Sequence, residues 1–423
     1  MHYEPIASSQ RPSIPIHSSA RLFYLMDAIA QAHEPTMSQL AELERSYNST
    51  GEFLSTCPEF KDNLIQIHAH GSRQLGTIIR PWDDTRQGFD IDLIARLNAN
   101  ARLKYNGEQG PAILLEHLYR ALFQYAQRCQ LRLLRWERCM TLEYAGGMCA
   151  DIAPVIDSPL LAAPYGDTHG LIPDRALLRF VSTNPRGYAQ FFETAAQISP
   201  NFTAGVQFAE AMDSMAKAEV EPLPDADEVL SRILCRFVQL IKLHRNIAFG
   251  PAQRKADAAP TSVFLTTLAA MAYIQEAPRP HESPLELLLD IAQRMPGCFE
   301  RTRLPDGSEE WKLPNPAAPQ SNLAEGMNSP VQQQAFWQWH HKLINDLDAI
   351  LSAIENHSGM DVLLKALGSA FGPRSVNAVQ QSLVGQKQLI RNAGKTSFVP
   401  SFAAIPATVA SRPHTFFGEG HGM

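Results

Sequence analysis

Residues 63–97 read NLIQIHAHGSRQLGTIIRPWDDTRQGFDIDLIARL, and this stretch decides the fold. From Asn63 to His70 apolar and polar side chains alternate, the period of a strand. The strand runs directly into Gly71-Ser72, with Gly76-Thr77 keeping the turn tight. Residues 88–97, GFDIDLIARL, alternate again and predict a second strand. On a strand, Asp90 and Asp92 leave the same face, about 6.5–7 Å apart along the chain. Phe89, Ile91, Leu93 and Ile94 around them imply burial on at least one side.

Two carboxylates so placed repel each other and resist burial. A divalent cation removes the conflict, and Mg²⁺ favours oxygen ligands while keeping water and phosphate oxygens in its shell. A third acid, Asp151 in CADIAPVI (149–156), lies on a further predicted strand and completes a site for two ions about 3.5–4 Å apart. One ion activates an attacking hydroxyl and the other holds a triphosphate and its leaving pyrophosphate. Gly71 lets the backbone approach phosphate closely, and the Ser72 hydroxyl and nearby amides can bond its oxygens. Each piece has a plainer reading alone: a turn, a solvated Asp-x-Asp face, an acid paired with a base. Their order and context together favour the site.

Outward from this stretch, residues 18–56 read as helix broken at Pro35. Residues 113–128 form an amphipathic helix, and RLLRWER, TLEYAGG and MCADIAPVI are further strands. Beyond residue 205 the pattern is helical. ADEVLSRILCRFVQLIKLHRNI (226–247) is the clearest helix, opened by an Asp225/Glu228 capping box and closed by Gly250-Pro251. A very apolar helix follows at 262–275, then an irregular excursion over 299–329, then helices at 331–355 and 359–369. From Pro373 the chain loosens into a tail with a helix near 377–391. The expected division is a flexible leader (1–17), a catalytic core (18–205), a helical domain closing its cleft (206–372) and a C-terminal tail (373–423).

The chain has 423 residues, 45% hydrophobic and 19% charged, an ordinary globular balance rather than a disordered one. Its net charge of −6 gives no strong nucleic-acid signal. No apolar run suggests a secretory signal or a membrane span. The six cysteines include no CxxC pair, which argues against a zinc module or disulfide framework and for a reducing cytoplasm. Cys149 and Cys235, in apolar runs, read as small core residues. His68 and His70 alternate on a strand without a third soft ligand nearby, so metal binding there is disfavoured. Phe336, Trp337 and Trp339 read as core, and His340-His341 as partly exposed.

The order GS, then DxD on a strand, then a later single Asp resembles the polymerase-β-like nucleotidyltransferases. HGSRQLGTIIRP with FDIDLIARL is similar to the bacterial cyclic-oligonucleotide synthases, the CD-NTases, relatives of cyclic GMP-AMP synthase and oligoadenylate synthase. The resemblance continues in STNPRGYAQFFE (182–193), LCRFVQLIKLHRNIAF (234–249), TSVFLTTLAAMAY (261–273) and residues 313–339, covering roughly 20–372. It implies an α+β fold: a nucleotidyltransferase core of mixed sheet with flanking helices, followed by an oligoadenylate-synthase-like helical domain. It implies that Ser72, beside Gly71, contacts the donor triphosphate. It further implies that Asp90, Asp92 and Asp151 bind two Mg²⁺ ions (Mn²⁺ as a substitute), with Asp151 nearest the attacking hydroxyl. Lys242 matches a lysine reaching the triphosphate, although by itself it reads as a solvated helix lysine. Ser262 matches a serine near phosphates and by itself reads as an N-cap. His70, before Gly71, departs from the polar residue usual there.

The activity so implied condenses nucleoside triphosphates, ATP among them, into a cyclic di- or trinucleotide messenger read by a downstream effector in anti-phage defence, with regulatory protein partners possible in the family. A nucleotidyl modifier of RNA or protein, such as a tRNA-end polymerase or adenylylating toxin, is an alternative that the acidic charge disfavours. An inactive scaffold is another, disfavoured by the retained acids, Ser72 and Lys242. Some family members are conjugated through their C-terminus; here the end, GEGHGM, reads more simply as disordered.

Overall fold

The computed structural model describes residues 16–80, 89–144, 147–203, 232–250, 258–356 and 358–392. Two helices open the chain, α1 (Ile16–Ala32) and α2 (Met37–Thr56), separated at Pro35 as expected. Thr36 caps α2 in a reciprocal capping box with Gln39. The first half then alternates strands and helices: β1 (Leu64–His70), α3 (Gly71–Gln74), β2 (Asp90–Leu97), α4 (Ala101–Lys104), α5 (Gly110–Cys129), β3 (Arg132–Arg135), β4 (Met140–Glu143), β5 (Cys149–Asp157), β6 (Gly170–Asp174), β7 (Arg179–Thr183) and α6 (Pro185–Ala196). The second half holds β8 (Asn201–Phe202), α7 (Ile233–Phe249), α8 (Ser262–Glu276), β9 (Pro280–His281), α9 (Pro284–Arg294), β10 (Glu300–Arg303), β11 (Glu309–Lys312), β12 (Pro314–Asn315), β13 (Ala318–Asn322), α10 (Pro330–Glu355) and α11 (Met360–Asn392). The mixed sheet with flanking helices is the α+β architecture expected.

Seven strands form the main sheet, in the order β1-β2-β5-β4-β3 with β6 on β5 and β7 on β6. β2 and β5 are parallel; the other neighbours are antiparallel. Ile91, Leu93, Ala95 and Leu97 of β2 point away from the acids and pack with Leu114, Leu118 and Leu122 of α5 and with Leu54 of α2. One face of the sheet is therefore sealed, and the face carrying Asp90 and Asp92 is left for the cleft.

A second cluster joins α7, α8, α9, α10 and α11. α8 is apolar on every side and is buried accordingly. Two elements of the expected catalytic core belong here instead: α1, through Leu22, Phe23, Leu25 and Ile29, and α6, through Phe192 and Ala195. Their apolar stripes fix that a partner exists, not which one.

Several sequence expectations are corrected. Residues 299–329 are not irregular but contain two hairpins, β10–β11 and β12–β13. β10 and β11 carry charge on both sides, so the apolar alternation is missing and Trp311 is the one buried residue of that pair, while β12 and β13 are short and polar, with Asn315 and Ala318 buried. β6, β7 and α6 were not resolved individually. The helices expected at 359–369 and near 377–391 are both present and run together as α11, Met360–Asn392, across a kink at Gly372, whose φ is 82°; what is corrected is the loosening expected from Pro373. His340 is fully buried, its Nε2 2.8 Å from the Ala292 carbonyl, and burial pushes its pKa to about 4. Cys149 and Cys235 are half-buried rather than core, and none of the six cysteines is in a disulfide. Gly250 ends α7 with φ 57° as expected. The Asp225/Glu228 capping box, the leader before Ile16 and the terminal tail lie outside the described residues.

Candidate active site

The strand registers assemble the acids. Asp92 of β2 stands opposite Asp151 of β5, and Asp90 opposite Cys149. Paired residues share a face, so Asp90, Asp92 and Asp151 line one side of adjacent strands. On the other flank His70, the last residue of β1, stands opposite Asp92. Asp90 and Asp92 are solvent-exposed and Asp151 half-buried.

The turn after β1 explains Gly71 by contact. Its φ is 56°, a region that L side chains rarely adopt, and a Cβ there would strike the Asp92 carboxylate. The glycine therefore makes room for an acid. Ser72 follows on the single turn α3, half-buried, and the Thr77 amide closes the loop on the Ser72 carbonyl at 2.9 Å. Gly76 has φ 66°.

α7 supplies the positive side. Lys242 is only 6% exposed, not solvated, and its ammonium donates to the Thr77 carbonyl at 2.8 Å. Burial, helped by the neighbouring Arg245, pulls its pKa down to about 8, against the pull of Asp92. Asp92 responds in the opposite sense. The protein around the cleft disfavours its charged form, Asp151 and Asp90 add repulsion, and despite Lys242 its pKa rises to about 6. The same two acids, Asp151 and Asp92, add to burial in pushing the Cys139 thiol up to about 12.

One turn beyond Lys242 is Arg245, which sequence reasoning missed. Its guanidinium donates to the Ser262 hydroxyl at 2.9 Å and to the Pro260 carbonyl at 3.1 Å, and burial lowers its pKa to about 10. The i, i+3 spacing in KLHR was the available signal, since such residues share a helix face. Ser262 itself is not the cap of α8: Thr261 is, accepting from the Phe264 amide. Ser262 thus stands at the first helical position, held by Arg245.

The His68 and His70 pKa values are lowered by burial, His70 to about 4. Among the described residues, Glu276, His281 and Asp290 bring possible ligand atoms within 4.8 Å of one another. There, however, Arg279 and Arg294 already neutralise Glu276, at 3.1 and 2.5 Å. A polar concavity of about 460 Å³ is lined by Glu116, His117, Arg120, Arg135 and Arg175, with Glu116 paired to both Arg120 and Arg135.

A family profile, the second messenger oligonucleotide or dinucleotide synthetase domain, matches residues 26–195, the segment that holds all three acids and the Gly71-Ser72 turn. Over this segment the chain is similar to the bacterial CD-NTases. It is a nucleotidyltransferase. A c-di-GMP synthase of Roseivirga ehrenbergii is 25% identical over 398 residues, covering 92% of this chain and 96% of that protein. The cyclic dinucleotide synthase CdnG of Bradyrhizobium diazoefficiens is 27% identical over 368 residues, 81% of each. Among solved structures, the Bradyrhizobium diazoefficiens CD-NTase CdnG in complex with GTP shares the fold with a TM-score of 0.60 at 21% identity, covering 86% of this chain and 99% of that one. The E. coli MS115-1 CdnC:HORMA-deltaN complex follows with a TM-score of 0.50 at 15% identity, covering 83% and 96%. A divalent metal is part of the chemistry of the CD-NTases it resembles, and this chain presents oxygen donors that repel one another until a cation joins them, a set that fits a hard divalent ion. No described helix is long and apolar enough to cross a membrane.

Proposed function

We propose that this chain joins nucleoside triphosphates into a cyclic di- or trinucleotide messenger, one pyrophosphate leaving per linkage, and that two Mg²⁺ ions serve it. The observation that carries the reading is the opposition across one cleft of a buried Lys242 and the Asp92–Asp151 pair. A triphosphate fits between a cation and metal-binding acids. The names of the two curated relatives favour a cyclic dinucleotide and GTP among the substrates. ATP remains a candidate partner base.

Asp90, Asp92 and Asp151 would hold the ions, which supply Lewis-acid stabilisation of the triphosphate and lower the pKa of the attacking hydroxyl. The chain's residues do the rest. Ser72 and the amides after Gly71 bind phosphate oxygens of the donor. Lys242 offsets charge on the departing pyrophosphate and is held toward the Gly76-Thr77 turn. Asp151 accepts the proton of the ribose hydroxyl as its oxygen bonds to the α-phosphorus and the bond to pyrophosphate breaks. Arg245 fixes Ser262 at the start of α8, where that hydroxyl can reach phosphate. A repeat of the step closes the ring. Residues 18–205 then act as the catalytic core and 206–372 as the lobe that closes over it. The product signals to an effector in anti-phage defence, in the cytoplasm, where the NTPs are.

Incubating the pure protein with all four NTPs and Mg²⁺ tests this. A phosphatase-resistant product whose mass matches a cyclic di- or trinucleotide is expected, and Asp92→Asn abolishes it. Label appearing only in added RNA or protein, or no small product in Mg²⁺ or Mn²⁺, overturns it.

A further inference from the structure

Across the main sheet the functional groups stand in a row. The Gly71-Ser72 turn follows β1, Asp90 and Asp92 lie on β2, and Asp151 lies on β5. Beyond them Thr141 on β4 stands opposite Asp151, and Trp136 immediately follows β3. If the donor triphosphate lies at the β1 end, the acceptor nucleotide extends toward β4 and β3.

At that end a hydrogen-bond chain reaches the third acid. The Trp136 indole N–H donates to the Thr141 hydroxyl at 2.7 Å. An indole N–H can only donate, so the threonine oxygen accepts and its own proton is free to be donated onward. It goes to Asp151 Oδ1 in a short contact. The direction of the chain is thus fixed by chemistry. It leaves Oδ2 of Asp151 as the oxygen free for substrate or metal.

The turn that carries Trp136 is itself held. The Trp136 amide bonds the Cys139 carbonyl at 3.0 Å, closing the β3–β4 hairpin. Arg138 pairs with buried Asp174 at 2.7 Å, and the Arg175 amide bonds the Glu137 carbonyl at 3.0 Å. Thr141 is buried, but the tryptophan, although its N–H is engaged, is 54% exposed. A large rigid ring, clamped at its polar edge and open over the rest, is a stacking surface.

We propose that Trp136 serves the acceptor side of the cleft: through Thr141 it positions Asp151, and its open ring takes the nucleobase of the nucleotide whose hydroxyl attacks. This rests on the reading of Asp151 given above. Trp136 and Thr141 are positioning residues toward Asp151; Trp136 is in addition a binding residue toward the base.

Four variants separate these roles. Thr141→Val removes the hydroxyl at nearly constant volume and should lower kcat about 10- to 100-fold with KM nearly unchanged, and weaken Mn²⁺ binding to the substrate-free protein about 10-fold, read by electron paramagnetic resonance. Thr141→Ser should restore both. Trp136→Phe keeps a ring but loses the N–H, so kcat falls while KM holds. Trp136→Ala should also raise the NTP KM at least about 5-fold. Wild-type kcat and Mn²⁺ affinity in Thr141→Val, or a loss that Thr141→Ser fails to restore, overturns the positioning role. An unchanged KM in Trp136→Ala overturns the stacking role. If the wild-type protein makes no product and binds no Mn²⁺, it is the parent reading of the acids that falls.

Discussion

Gly71 and Lys242 show how single residues shape the proposed site. A methyl group at position 71 meets the Asp92 carboxylate and must also hold a φ of 56°. Backbone strain costs about 1–2 kcal/mol, but displacing the acid matters more, since a shift of about 1 Å can cost about 100-fold in rate. Gly71→Ala is therefore expected to fold, to lose at least about 100-fold in turnover, and to bind Mn²⁺ more weakly; steady-state kinetics with circular dichroism checks this. Lys242 is held against its own solvation. Its pKa falls from 10.5 to about 8, which sets about 3 kcal/mol against folding when the group is charged. The folded state binds fewer protons than the unfolded one between those two values. The cost is fully present below pH 8 and disappears as pH rises through 10.5. Lys242→Met should raise Tm by about 3–6 °C at neutral pH, with the gap closing in alkaline buffer, while the NTP KM rises about 10-fold or more. Calorimetry across pH, beside kinetics, reads both.

At the scale of elements, α11 depends on its kink. Gly372 has φ 82°, and a Cβ there would come within 2.7 Å of Ile247 Cδ1 on α7. The bend lets Phe371 and Val379, on either side of it, both enter the helical cluster. Gly372→Ala is expected to cost about 2 kcal/mol or more, seen as a lower urea midpoint. α6 has a comparable anchor. Asn184 caps it by accepting from the Gly187 amide at 2.8 Å, and its own amide group donates to the Tyr165 and Ala317 carbonyls at 3.0 and 2.9 Å. The Asn-Pro-Arg-Gly motif is thus a cap that also ties the core to the β12–β13 hairpin region.

For the whole molecule, one buried network joins the opening helix to the lobe that carries Lys242. Arg236 of α7 pairs with Asp27 of α1 at 2.5 Å, both 4% exposed at the side chain, and reaches Glu34 at 2.5 Å. Gln239 adds bonds to Glu34 and to the Ile78 carbonyl, just after the Gly76-Thr77 turn. Even so paired, Asp27 has its pKa raised, because burial outweighs the arginine. Arg236→Met should destabilise by about 3–5 kcal/mol, since it strands a buried carboxylate. Adding Asp27→Leu should return part of that loss, which chemical denaturation of both variants would show.

Much of this was legible in residues 63–97 and 149–157. Alternation along a strand is local, so the shared face of Asp90 and Asp92 follows from spacing alone, as do the break at Pro35 and the stop at Gly250. The β10–β11 hairpin was illegible because its charged strands bury too little to show a period, and β12–β13 because its strands are short and polar. Lys242 looked like a solvated lysine because it lies 165 residues from the carbonyl it bonds.

The sequence by itself placed Asp90 and Asp92 on one strand face, the glycine-serine turn after β1 and the main helices, and through its resemblance pointed to a family. Only the tertiary structure decided which strand brings Asp151 beside Asp92, which helix turns a lysine inward, why position 71 must be glycine, and that Trp136 reaches the third acid through Thr141. The reason is physical. Periodicity records which face of an element is buried, but the partner of that face is chosen by packing between segments far apart in the chain, and a catalytic cleft is made of such partners.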